Sequence, residues 1–216
     1  MTDATRVEAT SCCADGDYAA ITDWPFDVSR VLYQRLDQLG FEGRSVLEIG
    51  CGYGRLLVGS LLAGATTATG VELDPEALER ARERADEAGV SDRCALLPGD
   101  GADLNLVAHD LVVLDRVICC YADGDRLVER SAAAALHGYA VSVPESRGLR
   151  GAWNRLTYPI GNMLDRLRGE DRVYLHDVRA IERRLVAAGF RLHSGEWLGK
   201  WYLGVFVRDQ SPDRAA

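Results

Sequence analysis

Residues 45–54 read SVLEIGCGYG, and this stretch decides the fold. Its first half, residues 45–49, is a short apolar segment typical of a buried strand. Glycines then alternate with other residues from 50 to 54, and apolar positions between 56 and 61 predict a helix. Glycines in such a turn let the backbone bend tightly and let a ligand approach the amides closely. The stretch predicts a strand–turn–helix unit with a ligand site at the turn.

Strand-like and helix-like segments alternate on both sides of this unit, which predicts an α/β, Rossmann-like, doubly wound sheet that is mostly parallel. Further strands are predicted at 67–73, 94–97, 111–117, 139–143, 190–197 and 201–207, and helices at 27–39, 75–88, 123–135 and 178–188. Only three residues separate the last two strands, so these must form an antiparallel hairpin. The pattern predicts seven strands with the last one antiparallel.

The 216 residues suit one domain, predicted at 27–211, with an arm before it and a short tail at 212–216. The arm, residues 1–26, carries aromatic residues that are unusual in a disordered tail, so we expect it to order as a lid over the ligand. Residues 145–176 do not fit the alternation and predict an added substructure on the substrate side of the sheet.

Composition excludes several classes of function. The chain has 47% hydrophobic and 27% charged residues with a net charge of -8, which disfavours nucleic acid as a partner. No run approaches the ~20 apolar residues of a membrane span, so no membrane partner is expected. The opening residues, MTDATRVEATSCC, lack an apolar core, which predicts a cytoplasmic protein with reduced cysteines.

The six cysteines do not form a metal-binding pattern. Cys12-Cys13 and Cys119-Cys120 are adjacent pairs, whereas zinc sites prefer two residues between thiols. No metal is therefore expected. The pairs could approach each other if the arm folds over the site, but small buried side chains are the simpler reading of Cys119 and Cys120.

Two acidic residues follow the second and third predicted strands. Glu72 ends the second strand, where a carboxylate can accept both hydroxyls of a ribose. Asp100 lies between two glycines after the third strand, where it can accept from an adenine amino group. Each has a plain alternative, a helix cap for Glu72 and a turn residue for Asp100. Their joint placement at successive strand ends favours a ligand site, because ligands bind there in open α/β sheets.

The segments VLEIGCGYGRL (46–56), GVELDPEAL (70–78) and LPGDGADL (97–104) resemble the class I S-adenosylmethionine-dependent methyltransferase family over about residues 44–145. The resemblance implies a seven-stranded sheet and S-adenosylmethionine as cofactor. It also implies the methionine moiety near the glycine turn, the ribose at Glu72 and the adenine at Asp100. The predicted cofactor-binding residues are Glu48, Gly50, Cys51, Gly52, Gly54, Glu72, Leu73, Gly99, Asp100, Gly101 and Asp115.

Candidate catalytic residues are sorted by their place in the fold. Asp115 and Arg116 end the fourth predicted strand, which in this family faces the transferable methyl group, so they could orient an acceptor or simply pair with each other. His176 precedes a helix whose N-terminus should lie on the ligand side. It is the one histidine placed to act as a base. The alternative is a residue at the helix N-terminus with no part in the chemistry. His109, His137 and His193 are predicted at the opposite edge or inside a strand.

The acceptor is predicted to be a small molecule with an apolar, ring-like body and an anionic or hydroxyl group. From 147 to 172 there are six arginines against three acids, a local charge of +3, and arginine suits planar anions. Apolar residues recur there at helical spacing, and Pro159 should kink or break that helix. The predicted substrate residues are Tyr18, Tyr121, Arg147, Trp153 and Tyr158. The alternatives are a helix whose apolar face packs on the sheet and a contact in a homodimer.

The sequence thus predicts a methyltransferase that acts on a small molecule, with oxygen as the acceptor atom. The alternative is a binding protein or non-methylating catalyst, such as a cyclase, decarboxylase or sensor, on the same fold. A nicotinamide-dependent oxidoreductase is disfavoured because its glycine spacing would be G-x-G-x-x-G. A macromolecular amino-methyltransferase is disfavoured because residues 115–118 read DRVI instead of an N-P-P-Y-like motif. The stretch GNMLDRLRG (161–169) resembles the C-terminal part of magnesium-protoporphyrin methyltransferases.

Overall fold

The computed structural model describes residues 27–168 and 173–208. The predicted lid at 1–26, with Tyr18 and Cys12-Cys13, and the predicted tail at 212–216 lie outside these residues. The strands are β1 (Ser45–Ile49), β2 (Thr67–Glu72), β3 (Cys94–Pro98), β4 (His109–Asp115), β5 (Ala135–Pro144), β6 (Phe190–Leu198) and β7 (Trp201–Arg208). The helices are α1 (Asp27–Asp37), α2 (Arg55–Leu62), α3 (Pro75–Glu87), α4 (Gly124–Ala133), α5 (Gly148–Arg168) and α6 (Val178–Ala187).

The seven strands form one sheet in the order β3-β2-β1-β4-β5-β7-β6. β7 runs antiparallel to both of its neighbours, and the other strands pair in parallel. This confirms the predicted seven-stranded, mostly parallel sheet. The strand order reverses at β1, because its two neighbours in the sheet, β2 and β4, lie on opposite sides of it. In open α/β sheets, ligands bind at the carboxyl ends of the strands where the order reverses.

Helices cover both faces of the sheet. Successive side chains of β1 alternate between two buried clusters, as expected for a strand with both faces covered. Leu47 lies in the cluster that includes residues of α4 and α6, and Val46 in the cluster that includes residues of α1 and α2. For the central strands this double cover leaves the ends accessible, whereas the outer strands β3 and β6 also carry exposed side chains.

Two strands, β4 and β5, have a boundary that differs from the predicted one by two residues or more. β4 ends at Asp115 and not at 117, because Arg116 adopts a left-handed backbone conformation with φ 56° that extended pairing cannot include. β5 starts at Ala135, which pairs with His109, and not at Tyr139. Near its start, Leu136 and His137 are exposed, so the hydrophobic pattern of these residues does not predict a strand. Both shifts come from sheet pairing that a local pattern does not contain.

Helix α5 is continuous across Pro159, so the break predicted there is wrong. Pro159 lacks the N–H that would bond to the carbonyl of Arg155. Both residues are exposed, so water can donate a hydrogen bond to the carbonyl of Arg155. None of the described helices is long and apolar enough to cross a membrane.

The apolar side of α5 faces outward, which contradicts the alternative reading that it packs on the sheet. Four side chains define this surface, which we call the α5 stripe: Leu149, Trp153, Leu156 and Ile160 are 91%, 66%, 64% and 54% exposed. The buried side of the helix holds Gly151 and Asn154. A Cβ at Gly151 would lie 2.1 Å from the carbonyl carbon of Ser146, so glycine permits the close approach.

Candidate active site

The glycine turn after β1 is a cradle that only glycine can form. The amides of Gly50 and Cys51 donate to the carbonyl of Val71 at 2.8 and 3.1 Å, which holds the turn against β2. Gly50, Gly52 and Gly54 have φ values of 69°, 50° and 71°. A Cβ at Gly50 would lie 2.6 Å from Cγ2 of Val117. Glycine at position 50 therefore lets the turn pack directly against Val117 at the carboxyl end of β1.

The carboxylate of Glu72 is fixed directly at this turn. Its Oε2 accepts from the amide of Gly52 at 2.9 Å, and its Oε1 accepts from Leu73 and Asp74 at 2.7 and 3.1 Å. The cap of α3 is Asp74, whose side chain accepts from Glu76. Glu72 is thus not that helix cap. Its carboxylate is positioned as an acceptor beside the glycine amides.

Asp100 is fixed at the end of β3 by two donors. Its Oδ1 accepts from the amide of Ala102 at 2.7 Å and from the hydroxyl of Tyr121 at 2.8 Å. A Cβ at Gly101 would lie 2.3 Å from Cγ2 of Ile49, and the amide of Gly99 donates to the carbonyl of Glu72 at 2.9 Å. The ends of β1, β2 and β3 therefore meet in one packed unit.

Tyr121, which the sequence placed with the substrate, contacts Asp100, a predicted cofactor-binding residue. Burial, then the hydrogen bond and negative charge of Asp100, raise the pKa of Tyr121 far above its usual value. The phenol stays protonated and acts as a donor to Asp100. No spacing rule links these two residues, so sequence reasoning had no signal for the contact.

The two thiols near the turn have raised pKa values and stay protonated near neutral pH. Burial and the nearby carboxylates of Glu48 and Glu72 raise the pKa of Cys51. Burial also raises the pKa of Cys94 to about 11. The Cys51 thiol packs on β2, where it would lie 2.7 Å from a Cβ at Gly70. Within residues 27–168 and 173–208, no three His, Cys, Asp or Glu side chains are grouped to hold a metal ion.

A second polar group lies at the end of β4. The hydroxyls of Ser29 and Ser142 donate to the two carboxylate oxygens of Asp115, whose side chain is 11% exposed. Nε of Arg116 lies 3.8 Å from Oδ2 of Asp115, and the amide of Arg116 donates to Ser142 at 2.8 Å. Among the described residues, Arg116 alone has a positive φ without being glycine. Such conformations concentrate at functional sites.

Sequence reasoning found Asp115 and Arg116 but missed Ser29 and Ser142. Ser142 is the direct register partner of Asp115 across β4 and β5, so correct strand alignment would have revealed it. Ser29 comes from the first turn of α1, far away in the chain. Nothing in its local sequence distinguishes it from a solvated serine.

His176 holds a loop in place. Its Nε2 lies 2.8 Å from the carbonyl oxygen of Tyr121. A carbonyl can only accept, so Nε2 carries the hydrogen. The ring also packs against Gly124, where a Cβ would lie 2.7 Å from Cε1. The geometry supports a structural role at the start of α4 and gives the predicted role as a base no support.

The predicted substrate residues on the insertion do not converge. Arg147 donates to Glu145 and, at 3.0 Å, to Glu182, so its charge is already balanced. Trp153 belongs to the outward α5 stripe. Tyr158 is half-buried, and burial with the nearby Cys119 raises its pKa to about 12. Tyr158 thus interacts electrostatically with Cys119, which follows β4 in the chain.

Comparisons with known proteins agree with this geometry. Residues 46–137 match a family model described as a methyltransferase domain. The chain is 44% identical over 81 residues to the ribosomal protein L11 methyltransferase of Enterobacter sp. (strain 638), an alignment that covers 37% of this chain and 27% of that protein. The chain thus spans about a quarter of the length of the curated relatives it matches.

Two solved structures share the fold. The magnesium protoporphyrin IX methyltransferase from Synechocystis PCC 6803 with bound SAH has a TM-score of 0.66 at 21% identity, covering 84% of this chain and 82% of that chain. The cyclase SpnF has a TM-score of 0.65 at 14% identity, covering 82% and 80%.

The cradle at Gly50, the carboxylate of Glu72 on the turn amides and Asp100 at the next strand end fit S-adenosylmethionine as cofactor. The matching domain model identifies residues 46–137 as a methyltransferase domain, and the fold is that of S-adenosylmethionine-dependent methyltransferases.

Proposed function

We propose that the protein transfers a methyl group from S-adenosylmethionine to an oxygen atom of a small-molecule acceptor. The observation that carries this proposal is the largely buried carboxylate of Asp115, aligned by two serine hydroxyls at the strand end beside the glycine turn. A hydroxyl acceptor must lose its proton as its oxygen takes the methyl group, whereas a carboxylate acceptor has none to lose. A fixed carboxylate at that position can accept the hydroxyl proton.

Each residue has a distinct role in this proposal. Glu72 would hold the ribose hydroxyls and Asp100 the adenine, while the glycine turn leaves room for the methionine moiety. When bound, the cofactor supplies a methyl group on a sulfonium, which is already a strong electrophile. Positioning the acceptor can then supply most of the rate enhancement. Asp115 has lone pairs beyond those used by Ser29 and Ser142, so it can accept from an acceptor hydroxyl and orient it.

A small acceptor is favoured over a macromolecule. The net charge of -8 opposes binding to nucleic acid. The relative that acts on ribosomal protein L11 aligns over 27% of its own length, which leaves most of that protein without a counterpart here. A non-methylating catalyst remains the second candidate because the cyclase SpnF shares the fold. Release of S-adenosylhomocysteine on adding an acceptor separates the two.

Replacing Glu72 with alanine should weaken S-adenosylmethionine binding by ~1.5–3 kcal/mol, the usual worth of a hydrogen bond to a charged group. Calorimetry with S-adenosylmethionine, S-adenosylhomocysteine and NAD measures this, and NAD should not bind the parent protein. Glu76→Gln, an exposed carboxylate on the first turn of α3, is the matched control and should bind as the parent does. An unchanged affinity in Glu72→Ala would remove Glu72 from the site, and binding of NAD alone would refute the cofactor.

Asp115→Asn should lower the turnover number by ~100-fold, the scale of a general base, with little change in cofactor affinity. The assay is release of S-adenosylhomocysteine with a panel of phenolic, carboxylic and amine acceptors. Asp92→Asn, an exposed acid before β3, controls for the loss of one negative charge. Turnover confined to amines, or full activity in Asp115→Asn, would contradict oxygen methylation assisted by this carboxylate.

A further inference from the structure

Helix α5 is amphipathic, but its apolar side is exposed and its polar side is buried, the reverse of an ordinary surface helix. Its polar residue Asn154 is buried and donates to the carbonyls of Glu145 and Lys200 at 2.8 and 3.2 Å. The α5 stripe lies on the opposite side, since residues four and seven apart share a helix face. A contiguous exposed apolar face of this kind marks an interaction surface. The polar side of the helix therefore packs on the protein, and the apolar side stays exposed to a partner.

Positive charge lies on both sides of the stripe. At 100° per residue, Arg150 and Arg155 sit roughly 100–120° from Leu149 in opposite directions around the helix. Both are exposed, and residues 148–160 contain no acidic residue. Nη1 of Arg150 donates to the carbonyl of Gly199 at 2.5 Å, which brings the exposed Lys200 next to the helix. The surface is thus cationic in a protein of net charge -8.

We propose that the α5 stripe docks the protein onto an anionic lipid surface, with α5 lying in the plane of the interface. Leucine, isoleucine and tryptophan side chains enter the boundary between headgroups and acyl chains in such helices. Long cationic side chains at the flanks reach the anionic headgroups. A second copy of this chain fits less well, because it would bring the same arginines against each other. The sequence expectation of no membrane partner considered spanning segments and not a helix that lies on the surface.

The docked face borders the acceptor side of the site. Tyr158, on the inner side of α5, is close enough to Cys119 for the two side chains to interact electrostatically. Docking would hold that side of the site at the lipid surface, where an acceptor with an apolar body accumulates. This last step rests on the proposed function. Vesicle binding itself needs no methyl transfer and can succeed or fail on its own.

The test is co-sedimentation of the full chain with vesicles of phosphatidylcholine, with and without phosphatidylglycerol. The parent protein should bind the vesicles that contain phosphatidylglycerol, and added salt should weaken that binding. Leu156→Glu and Ile160→Glu should each lower the partition coefficient by at least ~10-fold, because a carboxylate would enter the apolar boundary beside anionic headgroups. Val186→Glu, at a 60% exposed apolar position on α6, is the matched control and should bind as the parent does.

Several results would overturn the proposal. Equal binding to both vesicle compositions would contradict the anionic surface, and no binding to either would reject lipid altogether. A dimer in light scattering that Leu156→Glu dissociates would assign the stripe to a second copy. Vesicle binding only after removal of residues 1–26 would assign it to that segment. Circular dichroism of each variant checks that the fold is retained, and S-adenosylmethionine affinity, measured separately, tests the proposed function.

Discussion

Replacing Glu145 with glutamine should lower the free energy of unfolding by ~3 kcal/mol, the scale of breaking a buried ion pair. The Glu145 side chain is 1% exposed and accepts from Nε and Nη2 of Arg147 at 3.1 and 3.3 Å. It also accepts from the indole of Trp197. Glutamine keeps the shape but turns an N–H₂ toward donors and leaves part of the Arg147 charge uncompensated. Urea denaturation near neutral pH measures the loss.

The pH dependence of stability gives an independent measurement. Burial alone would raise the pKa of Glu145, but hydrogen bonds from Arg147 and Trp197 outweigh it and hold the pKa below its usual value. A depressed pKa contributes stability above the unfolded-state pKa of ~4.3, and that stability is lost as pH falls through the folded-state pKa. Glu145→Gln should therefore flatten this acid limb. Glu182→Gln changes a more exposed partner of Arg147 and should lower the free energy of unfolding by less than Glu145→Gln does. Equal losses in the two variants would contradict the larger role given to the buried Glu145.

Gly50→Ala should weaken S-adenosylmethionine binding by at least ~100-fold, which corresponds to ~2.7 kcal/mol. The new Cβ would lie 2.6 Å from Cγ2 and 2.9 Å from Cβ of Val117, at a φ of 69° that alanine adopts only with strain. The turn must move, and the amides that flank Glu72 move with it. Binding is measured by calorimetry, and folding by circular dichroism.

Gly89→Ala is a control that introduces the backbone strain of a positive φ without the steric clash that Gly50→Ala has with Val117. Gly89 has a φ of 67°, close to that of Gly50, but a Cβ there meets nothing within 4 Å. This variant should lose stability on the order of 1–2 kcal/mol and bind the cofactor as the parent does. If both variants bind equally well, the close approach at Gly50 does not shape the site.

The position of the predicted cofactor-binding residues at one edge of the sheet could be predicted because the rules for it are local. A glycine-rich turn after a strand, and acids at the next two strand ends, put Glu72 and Asp100 at one edge once the sheet is parallel. The partners of these acids could not be predicted in the same way. Tyr121 reaches Asp100, and Ser29 reaches Asp115, through packing between elements that are distant in the chain.

The predicted substrate residues do not converge in the structure, for a related reason. Helical spacing correctly indicated an apolar stripe on α5, but periodicity does not say which way a stripe faces. Asn154 and Gly151 decide that, by anchoring the opposite side of the helix on Ser146 and the turn before β7. Arg147 was predicted to bind an anionic acceptor from the local excess of arginines, but in the structure it pairs with Glu145, two residues earlier, and with the distant Glu182.

The position of β7 in the sheet has a consequence for the order of folding during synthesis. β7 pairs with β5 on one side and β6 on the other, so β6 has no partner in the sheet until residues 201–208 have left the ribosome. Until then the edge of β5 is an open template for strands of other chains. The contacts that close it have large sequence separation, which slows folding. We therefore expect a nascent intermediate, complete from β3 to β5, that is prone to aggregation and a natural client for chaperones.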